Sequence, residues 1–296
     1  MNIQKIVRAM VLSAVALTAG GALHAEPIVV GGKNFTEQQL MAEMTTQLLK
    51  AKGFEVDTRA GMGSAVLRQA QESGQIDVYW EYTGTSLITY NKITDRLSPE
   101  DTYAKVKELD AKKGLTWLNA SKANNTYGLA MRRTDAKKRG INTISELAAA
   151  INSGKPLSLA CNAEFAARAD GLKPLQKAYG FEFERANLKR MDTGLTYQAL
   201  RDEQVDVALV FATDGRVPAF DFVVLTDDKG YFPAYALTPV VRTAVLEKHP
   251  KLGEALNALS AKLDDNVMSR LNASVDVDRK TIRDAAEGFL KEAGLI

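Results

Sequence analysis

Residues 28–85 read IVVGGKNFTEQQLMAEMTTQLLKAKGFEVDTRAGMGSAVLRQAQESGQIDVYWEYTGT, and the period of their apolar side chains decides the fold. Ile28, Val29 and Val30 make a short continuous apolar run, the pattern of a buried strand. From Thr36 the period changes. Leu40, Met41, Met44, Leu48 and Leu49 recur at three- and four-residue spacing, which predicts a helix with one apolar face, stopped at Gly53. Phe54 to Arg59 predicts a second strand, Ser64 to Ser73 a second helix closed by Gly74, and Asp77 to Tyr82 a third strand rich in aromatic residues. Strand, helix, strand, helix, strand implies a mostly parallel sheet covered by helices.

The pattern continues downstream. Ser98 and Pro99 supply an N-cap and a first-turn proline for a helix reaching Lys113. A second α/β set follows Arg133. Thr143 and Glu146 are spaced as a capping box, Leu157 to Cys161 reads as a strand, Ala166 to Tyr179 as a helix, and Val205 to Phe211 as a strand. A third set is mixed, with strands near Phe222 to Leu225 and Ala236 to Arg242, then helices over Ala244 to Leu263 and Arg279 to Ala293. No Gly-, Ser- or Pro-rich linker separates these sets, as expected where one lobe is inserted into another.

Composition removes several function classes. Lys5 and Arg8 precede an uncharged run from Ala9 to Leu23, and Ala25 then precedes Glu26 and Pro27. That is the order of a cleavable secretory signal over residues 1–25. The run falls short of the ~20 residues that span a bilayer. No cysteine lies near the cut, so the expectation is a free periplasmic protein rather than a lipid-anchored one. With Lys5 and Arg8 removed, the formal charge falls from +2 to zero, which argues against nucleic-acid binding by bulk charge. Cys161 sits in an apolar run and reads as a buried, inert thiol. Beyond residue 25 only His249 remains, in charged surroundings that read as an exposed helix end. Histidine-based catalysis and zinc sites therefore have almost no raw material, and neither a metal nor a cofactor is expected.

Ligands of open α/β sheets bind at the carboxyl ends of strands. Alternation along the third strand puts Trp80 and Tyr82 on one face and Tyr79 and Glu81 on the other. Tyr79 and Trp80 read as core, whereas Tyr82 leads directly into the turn at Thr83, Gly84 and Thr85. Tyr127 and Tyr235 stand at similar junctions, and Phe211 ends another strand. Lys33 precedes the first helix, where an ammonium and a helix N-terminus both attract anions; the plainer reading is a solvated lysine. Arg168 reads either as a carboxylate clamp or as a partner of Asp170 or Glu164, and spacing leaves both open.

At this point the motifs carry a resemblance. Gly-Lys-Asn-Phe-Thr-Glu-Gln at 32–38, Glu-Tyr-Thr-Gly-Thr at 81–85, Asn-Asn-Thr-Tyr at 124–127, Arg-Ala-Asp-Gly at 168–171, Gly-Leu-Thr-Tyr-Gln-Ala-Leu at 194–200, Ala-Thr-Asp-Gly at 212–215 and Asp-Asp-Lys-Gly-Tyr-Phe-Pro-Ala-Tyr at 227–235 resemble the osmoprotectant substrate-binding proteins of ABC importers. Members of that family take glycine betaine, choline or carnitine. The similarity runs in order from residue 26 to the end, and the motifs are specific as a set.

The resemblance implies a type II, Venus-flytrap periplasmic binding protein, an α/β fold with mixed β-sheets flanked by helices. Lobe one would comprise residues 26–128 and 226–296, and lobe two residues 129–225. The chain would cross near Tyr127 to Arg132 and near Asp221 to Gly230, and hinge closure over a ligand would be what the membrane permease reads. Carried over by position, an aromatic cage falls on Tyr82, Tyr127, Phe211 and Tyr235, and carboxylate contacts fall on Lys33, Thr85 and Arg168. A quaternary ammonium donates no N–H bond, so ring faces suit it, each offering about 0.5–2 kcal/mol. The implied partners are the small osmolyte and an inner-membrane permease with its ATPase. The implied protein is a monomer and not an enzyme. Two positions depart from the pattern: Phe211 stands where a tyrosine is usual, and Ala234 where a proline often stands. Alternatives are a binder of another small zwitterion or amino acid, a solute-sensing module, or an enzyme using Glu81, Asp170 or Asp214.

Overall fold

A computed structural model describes residues 26–296; the expected signal at 1–25 lies outside the described residues. Ten strands form two five-stranded sheets. The first holds β1 (Ile28–Lys33), β2 (Val56–Met62), β3 (Val78–Tyr82), β4 (Leu115–Trp117) and β10 (Leu237–Arg242), in the order β2-β1-β3-β10-β4. The second holds β5 (Tyr127–Arg132), β6 (Leu159–Cys161), β7 (Leu188–Arg190), β8 (Val207–Phe211) and β9 (Phe222–Val224), in the order β7-β6-β8-β5-β9. In each sheet the strands joined through helices pair parallel, β1 with β2 and β3, β6 with β7 and β8. The strands that pass between sheets pair antiparallel: β10 with β3, and β5 with β8. Both sheets are mixed and flanked by helices.

The helix Thr36–Ala51 follows directly from its period. Leu40, Met41, Met44, Leu48 and Leu49 are all fully buried, on a face that packs against β1, β2 and the helix Ile282–Glu292. Each buried side chain contributes about 1.5–3 kcal/mol relative to exposure. Gly53, at a left-handed φ of 86°, turns the chain out of this helix. The helix Pro99–Ala111 is capped by Ser98, and Thr143 and Glu146 form the expected capping box.

Two expected helices are broken. Ala166 to Tyr179 is not continuous: Ala163–Ala167 ends, Arg168 is extended, and Leu172–Tyr179 begins afresh. Gly171 allows this break, because a Cβ there would lie 1.9 Å from the Phe165 carbonyl oxygen. Ala244 to Leu263 divides at His249 and Pro250 into Thr243–Lys248 and Pro250–Ser260, since proline cannot donate to the preceding turn. His249 is half-buried, edge-on to Phe54 with ring centroids 5.9 Å apart, rather than exposed. The helix Asp265–Asp276, capped by Asp264, was not predicted, nor were the three-residue strands β4 and β7. No helix among the described residues is long and apolar enough to cross a membrane.

Candidate functional site

Strand register brings the site together. In the second sheet Tyr127 opens β5 directly opposite Phe211, the last residue of β8. In the first sheet Leu237 pairs with Tyr82 at the end of β3, placing Tyr235 just before that pair. Gly84 lets Tyr235 lie against the turn after β3: a Cβ there would meet the Ala234 carbonyl oxygen at 2.7 Å and the Tyr235 ring at 2.9 Å. One cleft between the sheets is lined by Lys33, Tyr82, Thr85, Tyr127, Arg168, Phe211 and Tyr235 together.

The rings form a connected set. Tyr127 lies 5.2 Å from Phe211 and 5.4 Å from Tyr235, the latter edge-on. Tyr82 joins through a residue the sequence reading passed over. Phe35 stacks between Tyr82, at 6.3 Å, and Phe211, at 5.6 Å. Phe165 and Phe232 back Tyr127 from behind. Phe35 belongs to the Gly-Lys-Asn-Phe-Thr-Glu-Gln motif, at the turn between β1 and its helix, and that junction was the available signal.

The tyrosine hydroxyls are directed away to buried carboxylates. Tyr82 donates to Glu37 at 2.7 Å and Tyr235 to Asp170 at 2.5 Å. Burial first, and then the adjacent carboxylate, pushes both phenols well above their ordinary pKa. They stay neutral, with Lys33 over the Tyr82 ring at 4.9 Å and Arg168 over the Tyr235 ring at 6.0 Å.

Both cations arrive already paired. Lys33 is neither solvated nor free: it is 2% exposed, donates to Glu81 at 2.5 Å and lies 4.9 Å over the Tyr82 ring. Arg168 takes the partner reading, with a bidentate pair to Asp170 at 2.7 and 2.6 Å and a longer bond to Glu164 at 3.2 Å. It also reaches Thr85 at 3.4 Å, across the two sheets, and sits 5.4 Å over Tyr127. Burial opposes its charge, but its neighbours Tyr127, Asp170 and Tyr235 together outweigh burial and raise its pKa, so the guanidinium stays protonated. The helix break at Arg168–Gly171 is what turns this side chain into the cleft. Tyr79 and Trp80 are fully buried, donating to Glu81 and Thr45.

The family described as the substrate-binding domain of ABC-type glycine betaine transport systems matches residues 26–292. The chain is 42% identical to a glycine-betaine-binding protein of Pseudomonas aeruginosa, over 99% of this chain and 96% of that one. Its fold matches the ligand-free YehZ structure of Escherichia coli, 34% identical, with a TM-score of 0.68 over 92% of this chain and 100% of the other. It also matches a crystal structure titled as a glycine betaine/carnitine/choline ABC transporter, 30% identical, with a TM-score of 0.74 over 90% and 99% of the two chains.

Proposed function

The chain belongs to the family of substrate-binding domains of ABC-type glycine betaine transport systems, a family of binding proteins rather than enzymes, and from that premise we propose that it captures a quaternary-ammonium compatible solute, glycine betaine first among them. The supporting observation is the cleft that Tyr82, Tyr127, Phe211 and Tyr235 line together, its rings 5.2 and 5.4 Å apart around Tyr127. Ring faces attract a methylated cation by about 0.5–2 kcal/mol each, and burying its methyl surface adds to this.

The ligand carboxylate faces Arg168, Thr85 and Lys33. Because Asp170 holds two N–H groups of Arg168 tightly, the Nη1 edge, with its longer bonds to Glu164 and Thr85, is the one a solute carboxylate takes. Choline and carnitine fit the same cationic end. Residues 26–128 with 226–296 and residues 129–225 act as two lobes that close over the solute. Residues 1–25 direct the protein to the periplasm, where the monomer delivers its cargo to a permease and its ATPase.

The test is thermal unfolding of the protein with glycine betaine, choline, carnitine and proline. A ligand at 100 times its Kd stabilises the folded state by about 2.7 kcal/mol. The quaternary ammonium solutes raise Tm and proline does not. Stabilisation by proline or another amino acid, without stabilisation by any methylated solute, replaces this reading with an amino-acid binder.

A further inference from the structure

Glu37 carries no ion pair among the described residues, although it is 2% exposed. Its two oxygens instead accept four hydrogen bonds. Oε1 takes the hydroxyl of Tyr82 at 2.7 Å and the amide of Asn125 at 2.8 Å; Oε2 takes the hydroxyl of Thr213 at 2.5 Å and the amide of Asn272 at 3.1 Å. These donors come from four separate stretches of chain. Tyr82 ends β3 of the first sheet, and Asn125 lies on the segment that passes to the second. Thr213 follows β8 of the second sheet, and Asn272 lies on the helix Asp265–Asp276. An uncompensated buried carboxylate is costly; burial raises the pKa of Glu37, and the four hydrogen bonds oppose that rise.

The two ends of this network are both beside the cleft. Tyr82 is one of its ring walls, and Thr213 is two residues beyond Phe211, another wall. Asn272 grips the same residue a second time, donating to the Thr213 carbonyl at 2.9 Å. Resting on the reading of the cleft as a quaternary-ammonium site, we propose that Glu37 is a positioning residue that makes closure and cage assembly a single event. It fixes the Tyr82 ring by its hydroxyl, and it draws Thr213, and with it the Phe211 segment of the second sheet, onto the first. Neither end touches the solute through this bond. The latch therefore acts on how long a captured solute stays, since most affinity differences within one site lie in the dissociation rate.

Thr213→Val is the informative variant, because it removes one hydroxyl donor and keeps the shape. Stopped-flow fluorescence with glycine betaine gives association and dissociation rates, and thermal unfolding of the ligand-free protein reports structural damage. Losing a hydrogen bond to a buried carboxylate is expected to raise koff about tenfold or more, with kon within about twofold and the ligand-free Tm unchanged. Thr213→Ser restores the wild-type rate, and Glu37→Gln, whose amide faces two donors, raises koff as well. An unchanged koff in Thr213→Val overturns the latch, as does a fall of ligand-free Tm that accounts for the whole effect. Absence of any methylated-solute binding by the wild-type protein instead overturns the reading of the cleft on which the latch rests.

Discussion

Tyr235, just ahead of β10 in the first sheet, donates its hydroxyl at 2.5 Å to Asp170, in the break between the helices Ala163–Ala167 and Leu172–Tyr179, and the same carboxylate holds Arg168 bidentately. Ring and hydroxyl thus have separate work. Tyr235→Ala is expected to weaken glycine betaine binding by about 1–3 kcal/mol, one ring face and its buried area. Tyr235→Phe keeps the ring face and is expected to lose less of that affinity than Tyr235→Ala. Calorimetric titration of both variants separates the two contributions, and equal losses would place the effect in the hydroxyl.

Arg168 and Asp170 are buried together, so neither is removed harmlessly. Arg168→Ala leaves the Asp170 carboxylate without its cation and is expected to destabilise the protein by about 3–5 kcal/mol. Denaturant unfolding measures this directly. A change below about 0.5 kcal/mol, the size usual for surface substitutions, would mean the pair is not formed in solution.

Asp110 gives the acid limit of the first sheet. It is fully buried, and burial alone would raise its pKa, but two bonds from Arg68 at 2.8 and 2.6 Å, with Asn91 and Trp117, hold it below the ordinary 3.8. A depressed carboxylate contributes stability that is present above its unfolded pKa and is lost as pH falls through its folded one. Unfolding free energy measured from pH 5 downward should therefore drop below about pH 3.8. Asp110→Asn should lower stability at neutral pH and flatten that acid slope; an unaltered slope would assign it to other groups.

Cys161 is buried in β6, and burial pushes its thiol up to about 11. At pH 7 only about one thiol in ten thousand is ionised. Iodoacetamide should leave the native protein unmodified and label it fully in denaturant, as mass spectrometry would show. Stoichiometric labelling of the native protein would contradict the burial.

What could be read from the chain depended on range. Leu40 through Leu49 announce their helix because its period is local, and Gly53 and Ser98 mark ends by backbone chemistry alone. The motifs named seven residues that line one cleft, most of them at or next to strand ends, with Arg168 at a helix end. The break at Arg168 was hidden: Ala166 to Tyr179 is rich in helix formers, and the close approach of Gly171 to Phe165 exists only after folding. The pairing of Lys33 with Glu81, 48 positions away, and of Glu37 with Thr213, 176 away, left no trace in spacing. Phe35 escaped notice because a lone phenylalanine after a strand looks like core, and only the ring planes reveal it between Tyr82 and Phe211.

The most direct measurement is a calorimetric comparison of glycine betaine with its uncharged-head isostere, 3,3-dimethylbutanoate, which keeps the shape and the carboxylate but loses the cation. A cage of ring faces predicts saturable micromolar binding of glycine betaine, about −8 kcal/mol. It also predicts binding of the isostere at least about tenfold weaker, since the ring faces lose their cation. Equal affinities for the two would mean that the rings merely supply apolar surface, and would contradict the central claim.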